Sequence, residues 1–230
     1  MDFKIDLNSK HNNQTAFHMA CENDHYKVVE LLIEKSKIFD IKLNTKDGNH
    51  MTALLIAYEN GHSKVAELLI KKSSEFNIEL NGKDYSGLTA FHMACQNEDD
   101  DTNIAEILIQ KSTEFNFELN TKNDDDETAF HLVCRNGHSK IAEFLIQISA
   151  KIGVKLNDKD NIGRTGFHWA IFNGNEKTVE IIIDHWELFG IDLTLKDNNG
   201  KTGFQLAQQH QQTEVINLIN KKMPSIAVNI

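Results

Sequence analysis

One threonine recurs along this chain at a nearly constant interval, at Thr15, Thr52, Thr89, Thr128, Thr165 and Thr202. The steps are 37, 37, 39, 37 and 37 residues. The phase is kept upstream as well: Leu43-Asn44, Leu80-Asn81, Leu119-Asn120 and Leu156-Asn157 stand at equal offsets before their threonines. Self-similarity at such a period means repeated supersecondary units, none of which can bury its apolar face alone. Stacking such units buries a continuous core, and this limits the fold to a repeat array.

Each unit reads the same way. A polar turn comes first, such as Lys46-Asp47-Gly48-Asn49 or Lys83-Asp84-Tyr85-Ser86-Gly87, with residues suited to a tight hairpin. The threonine follows as a helix N-cap, and a helix of about eight residues is expected after it. Gly61, Gly137 and Gly174 stand where three of these helices should end, a place that favours left-handed backbone. A second helix follows. In the second unit Val65, Leu68, Leu69, Ser73 and Phe76 form its buried stripe, and Ile70 adds burial on another side.

Thr89-Ala90-Phe91-His92-Met93-Ala94 resembles the Thr-Pro-Leu-His-x-Ala signature of ankyrin repeats, and Gly61-His62 and Gly137-His138 fit the rest of that unit. The resemblance covers about residues 6 to 222. It implies an all-α ankyrin-repeat solenoid of stacked helix-turn-helix units joined by β-hairpin-like loops. Six repeats are expected, at about 6–42, 43–79, 80–118, 119–155, 156–192 and 193–222. Residues 1–5 would be the tail of a preceding, truncated repeat, because Phe3 to Asn8 matches Phe76 to Asn81; residues 223–230 would be a C-terminal tail. Glutamines 205, 208, 209, 211 and 212 give the last unit the polar surface that a terminal cap needs.

Two departures from the family pattern carry expectations. The usual proline is replaced by Ala16, Ala53, Ala90, Ala129, Gly166 and Gly203, and the two glycines are expected to let the last repeats fray. The period of 37 exceeds the family's roughly 33 by four residues, about one helical turn, so a longer second helix is expected in each repeat.

Three His-x-x-Cys pairs, His18/Cys21, His92/Cys95 and His131/Cys134, carry the spacing of a shared helix face. Zinc needs four ligands within about 2.3 Å, whereas packed helices lie about 8–10 Å apart. Neighbouring pairs therefore cannot share an ion, and no metal and no cofactor is expected. The same distance argues against disulfides and for three free thiols. The resemblance implies that the signature histidine bonds its threonine and nearby loop backbone. On this basis Thr15, His18, Thr52, Thr89, His92, Thr128, His131, Thr165, His168 and Thr202 are structural residues. Leu55 and Gln205 break the motif, so the second and sixth units should each lose one loop-tying hydrogen bond.

Composition narrows the function. The net charge is -10 with a pI near 5.5, and no basic stripe offsets it, so nucleic acid is not an expected partner. No apolar run approaches the roughly 20 residues that span a bilayer, and Met1 to Asp6 holds no signal core. The expected location is intracellular and cytoplasmic, with the nucleus also compatible. No nucleophile elbow, phosphate loop or His-Glu-x-x-His is present, so the chain is not expected to be an enzyme. Two acidic runs, Glu98 to Asp101 and Asp124 to Glu127, read as solvated turns; the second is also a tip that could steer a basic partner.

The expected activity is to hold a partner protein, as a monomer, on the concave face that the resemblance assigns to hairpin tips and first helices. The positions on that face are Met51, Glu59, Tyr85, Leu88, Gln96, Glu127, Arg135, Ile162, Arg164 and Phe172. Several are apolar, aromatic or arginine, the types that anchor interfaces. The alternative is a spacer or self-associating scaffold segment of a longer array. Trp169 occupies the place of Met93 and Leu132 and reads as packing; Trp186 replaces a series of serines and either repacks its contact or protrudes.

Overall fold

The computed structural model describes residues 6–96, 108–109 and 118–223. These residues hold eleven helices and no named strand; the run Glu98 to Asp101 lies outside them. The chain divides into two compact bodies. The first contains the described residues through Ala94 with 108, 109 and 118; the second contains Cys95, Gln96 and Leu119 onward.

The helices alternate short and long. In the first body α1 (Ala16–Glu22) precedes α2 (Tyr26–Phe39), and α3 (Ala53–Glu59) precedes α4 (Ser63–Phe76). The short α5 (Ala90–Gln96) carries the division between the bodies. In the second body α6 (Ala129–Asn136) precedes α7 (Ser139–Ile152), and α8 (Gly166–Phe172) precedes α9 (Glu176–Phe189). The last pair is α10 (Gly203–Gln209) and α11 (Thr213–Lys222). Short helices pack on short ones (α1 on α3, α6 on α8, α8 on α10) and long on long (α2 on α4, α7 on α9, α9 on α11). The apolar faces thus meet layer by layer, and Val65, Leu69, Ile141, Leu145, Val179 and Ile182 are wholly buried.

The long helices α2, α4, α7 and α9 each run 14 residues, as the lengthened period requires. The last, α11, has 10, so the extra turn is missing there. Each 14-residue helix ends on a left-handed residue, Asp40, Asn77, Gly153 or Gly190, whose N–H returns to a carbonyl of the last turn. Ser36, Ser73 and Ser149 are buried near these ends because each hydroxyl donates back to a carbonyl three residues earlier, at 2.6–2.7 Å. Trp186 stands at the same position and is only half-buried, so the ring protrudes in part.

The threonines are N-caps. In α1, α6 and α8 the third helical residue is histidine, and threonine and histidine form a reciprocal capping box. His18 shows the full arrangement. Its Nδ1 accepts the Thr15 N–H at 3.1 Å, which places the ring proton on Nε2. Nε2–H then donates to the Thr45 carbonyl of the following hairpin at 2.7 Å. His131 reaches the Arg164 carbonyl and His168 the Lys201 carbonyl, at 3.1 and 3.2 Å. Leu55 is buried and offers no such bond. At Gln205 the cap itself is kept: its Oε1 accepts the Thr202 N–H at 3.0 Å and the box is complete, because an amide oxygen can stand in for an imidazole nitrogen at this distance.

The two glycines in place of proline have a packing cause. A Cβ at Gly166 would lie 2.8 Å from the Phe130 ring, and one at Gly203 would lie 2.8 Å from Phe167 and from Ile171. Each short helix approaches its predecessor closely enough that a side chain has no room. Cys21, Cys95 and Cys134 are free and buried; burial alone pushes the Cys21 thiol up to about 12 and the other two upward as well. No described helix is long and apolar enough to cross a membrane.

Burial holds His18, His131 and His168 below the ordinary imidazole value, since a charged ring would lose its hydration. Below the unfolded value, about 6.5, the unfolded chain therefore binds protons that the folded chain refuses. Stability is expected to be full above that pH and to fall as pH drops through and below it. Melting temperatures taken from about pH 8 to about pH 5 check this. His131→Gln, which can keep its cap as Gln205 does, should lessen the fall.

Candidate functional site

Five hairpin turns are built on one acid or amide, Asp47, Asp84, Asn123, Asp160 and Asp197. Oδ1 of each accepts the N–H groups two and four residues on, at 2.7–3.1 Å. The backbone N–H of each also donates to the carbonyl four residues on. This leaves the second side-chain atom for another partner, and the turns differ in what it finds. Asn123 donates from Nδ2 to Glu127 Oε2 at 3.0 Å. Asp160 accepts the indole N–H of Trp169 on Oδ2 at 2.7 Å. Asp197 Oδ2 is buried and has no hydrogen-bond partner.

The turns also hold one another. Asn161 N–H donates to the Asp125 carbonyl, and Asn198 N–H to the Ile162 carbonyl, both at 3.0 Å. Gly163 has a φ of +79°, and a Cβ there would lie 2.7 Å from the Asn198 nitrogen, so only glycine lets the two turns meet. Lys122 and Lys159 each donate to a carbonyl 37 residues on, those of Lys159 and Lys196, at 2.7 Å.

On this frame the second body carries an alternating row of cations and rings. Arg135, in the last turn of α6, places its guanidinium carbon 4.3 Å from the Trp169 ring centre. Arg164, from the hairpin before α8, lies 4.7 Å from the same ring and 4.1 Å from the Phe172 ring. Phe172 meets Trp169 edge-on at 5.7 Å and His210 edge-on at 5.0 Å. Each guanidinium over a ring is worth about 0.5–2 kcal/mol, more as water is removed. Arg135 also pairs with Glu127. Burial draws the Arg135 guanidinium below its usual range, and Asp160 and Asp125 oppose that shift. A groove of about 400 Å³ adjoins the row, lined in part by Arg164, Phe172, Asp197, Leu206, Gln209 and His210.

The ten residues expected on the binding face separate on inspection. Met51 and Glu127 are corrected: at 3% and 2% exposure they are interior. Met51 closes its hairpin through both backbone groups, bonded to Asp47, and Glu127 turns inward because Asn123 and Arg135 pair with its carboxylate. Only Asp124, Asp125 and Asp126 of that acidic run are exposed. Glu59 and Gln96 are exposed and Leu88 is half-buried. Tyr85 is 62% exposed and stacks on His50 at 4.1 Å in the first body. In the second body Arg135, Arg164 and Phe172 come together around Trp169, with Ile162 exposed on the adjoining hairpin.

Trp169 packs as expected of its position, and half-buried it lies at the centre of the row. What marks it in the sequence is an indole in a series otherwise Met19, Ile56, Met93, Leu132 and Leu206, nine residues after an aspartate. His210 carried no signal, because its role comes from Phe172 in the preceding repeat. The threonine-paired histidines have both ring nitrogens engaged at His18, His131 and His168. Among the described residues no group of His, Cys, Asp and Glu is placed to hold a metal ion.

Comparison with known proteins gives one family match: ankyrin repeats (3 copies), over residues 1–81, 37–122, 76–160 and 101–197. No curated protein sequence matches the chain. Among solved structures, the chain is similar to the ankyrin repeat domain of Bcl-3, of the IkappaB family, with a TM-score of 0.78 and 18% identity, covering 93% of this chain and 88% of that one. The ankyrin repeat protein EF0377 gives 0.75 and 20%, covering 93% and 99%. A chain of the complex between the predatory endopeptidase Bd0816 of Bdellovibrio bacteriovorus and the immunity protein Bd3460 gives 0.71 and 26%, covering 91% and 99%.

Two substitutions test the row. Trp169→Phe keeps a ring but removes the donor to buried Asp160, and should cost about 1–3 kcal/mol in urea unfolding. Asp124→Asn, at an exposed position, should change stability by less than about 0.5 kcal/mol.

Proposed function

The chain belongs to the ankyrin-repeat family, and on that premise we propose that it holds a partner protein on the face formed by hairpin tips and short helices. The observation that carries this is the row Arg135–Trp169–Arg164–Phe172–His210. Arginine and large aromatic rings are the residues that most often dominate binding energy. Here they are half-exposed and held by neighbours, so little side-chain entropy remains to be lost on binding. Exposed Ile162 extends the apolar area, and Asp124 to Asp126 supply negative charge at its edge. The chain from the Bd0816–Bd3460 complex offers a precedent for an ankyrin-like array engaged with another protein. Tyr85 on His50, with Glu59 and Leu88, is a further contact region of the first body. No step of this function calls for a catalytic group or a cofactor.

Two baits test it: the wild-type chain, and a variant with Ile162→Ala, Phe172→Ala and His210→Ala checked by circular dichroism to be folded. A protein captured from lysate by the first and lost by the second supports the face. Equal capture refutes it. A Tyr85→Ala bait separates the contribution of the first body.

One observation favours the self-associating scaffold as a second reading. Val28 and Leu31 on α2 are 47% and 53% exposed, whereas Val65 and Leu68 at the same positions of α4 are buried. The face that α4 covers with α2 is open on α2 itself. Sedimentation of the wild-type chain alone should show a mass that rises with concentration under this reading, and Leu31→Lys should abolish the rise. A constant monomer mass removes it.

A further inference from the structure

The turn aspartates of the last two repeats are equivalent by the 37-residue period, and so are the residues around them. Asp160 corresponds to Asp197, Arg164 to Lys201, Trp169 to Leu206 and Phe172 to Gln209. Both aspartates are buried, at 7% and 6% exposure. Both spend Oδ1 on their own turn. At Asp160 the remaining oxygen is satisfied by the Trp169 indole. At Asp197 the residue in the indole's place is Leu206, which has no donor, and Oδ2 is buried without a partner. A buried carboxylate oxygen in that state is costly, and a donor that arrives from outside the chain would offset the cost.

Asp197 lines the groove beside Phe172, Leu206 and His210. Lys201 and Gln209 line it too, and their side chains bond each other at the surface. We propose that this groove receives a tryptophan side chain from the partner protein, whose indole N–H donates to Asp197 Oδ2 as Trp169 does to Asp160. The Lys201–Gln209 contact parts to admit it. A neutral donor is selected, because Arg164 and Lys201 on the walls repel an ammonium or guanidinium. A flat ring is selected over a hydroxyl or amide, because Phe172 and His210 offer ring faces and edges to pack against. The inference rests on the protein-binding reading of this face and adds the chemistry of the residue that anchors there.

Small probes test the groove without a partner in hand. Indole titrated into the ¹⁵N-labelled chain should shift the amide signals of Phe172, Leu206 and His210 saturably. N-acetyltryptophanamide should do the same. 1-Methylindole, which lacks the donor, should bind at least about tenfold more weakly. Asp197→Asn keeps the turn acceptor, as Asn123 shows, and should erase the preference for indole over its methyl derivative. Leu206→Trp should fill the groove from within and abolish the shifts, and it serves if the first variant does not fold. No saturable shift, or equal affinity for indole and 1-methylindole, overturns the proposal. Binding of indole without binding of N-acetyltryptophanamide also overturns it, since a partner's tryptophan would then be refused. If an Asp197→Asn bait captures the same protein as wild type while the Ile162/Phe172/His210 variant does not, the face stands and the indole anchor falls.

Discussion

His18, His131 and His168 each use their two ring nitrogens in two directions, and the packing of one repeat on the next depends on this division. Nδ1 closes the cap of its own short helix, while Nε2–H reaches the backbone of the next hairpin, as His18 does to Thr45 and His168 to Lys201. A hairpin of this kind has no sheet to satisfy its carbonyls, and a buried carbonyl left unpaired is costly. The preceding repeat supplies the donor. Other side chains repeat the device at the same period. Asn44, Asn120 and Asn157 each donate to the carbonyl of the residue that ends the next long helix, and accept an N–H from the loop beyond it. His62 and Asn175 bond carbonyls in the last turn of the short helix of the preceding repeat, Glu22 of α1 and Cys134 and Arg135 of α6. Within each body, neighbouring repeats thus complete one another's hydrogen bonding.

This polar register is what makes a surface of half-exposed rings possible. Hairpins fixed to one another by Asn161–Asp125 and Asn198–Ile162 backbone bonds hold Arg164 at a set distance from α8. Arg164 can then lie over two rings at once. Glu127 does the same for Arg135 from the hairpin before α6. The residues that look most suited to binding are therefore positioned by a frame whose own groups are satisfied. Asp197 is the exception on that face, a turn residue built as the others are but with one oxygen left over.

Most of the fold was legible in the sequence because its signals are local. The threonine caps and the left-handed Gly61, Gly137 and Gly174 each follow from a few adjacent residues, and the longer second helices follow from the four residues added to each period. The expectations that needed correction concern direction rather than identity. Met51 and Glu127 stand at hairpin positions that suggest a surface, and whether such a side chain turns outward depends on partners such as Arg135. The propensity cost of glycine at 166 and 203 could be read from the sequence, whereas the ring one repeat back that a Cβ would meet could not.

The sequence by itself determined that the chain is a stack of 37-residue helical repeats, where the caps and turns fall, and which faces are apolar. A cap and a stripe are properties of neighbouring residues, and a period is a property of the chain read end to end, so backbone geometry converts them directly into structure. Only the tertiary structure decided that Trp169 lies between two arginines, that His210 completes the row with Phe172, and that Asp160 and Asp197 differ in one hydrogen bond. Those facts join residues from successive repeats or opposite ends of a turn and helix. Their distances are set by how closely one layer settles on the next, which packing fixes and no local pattern records.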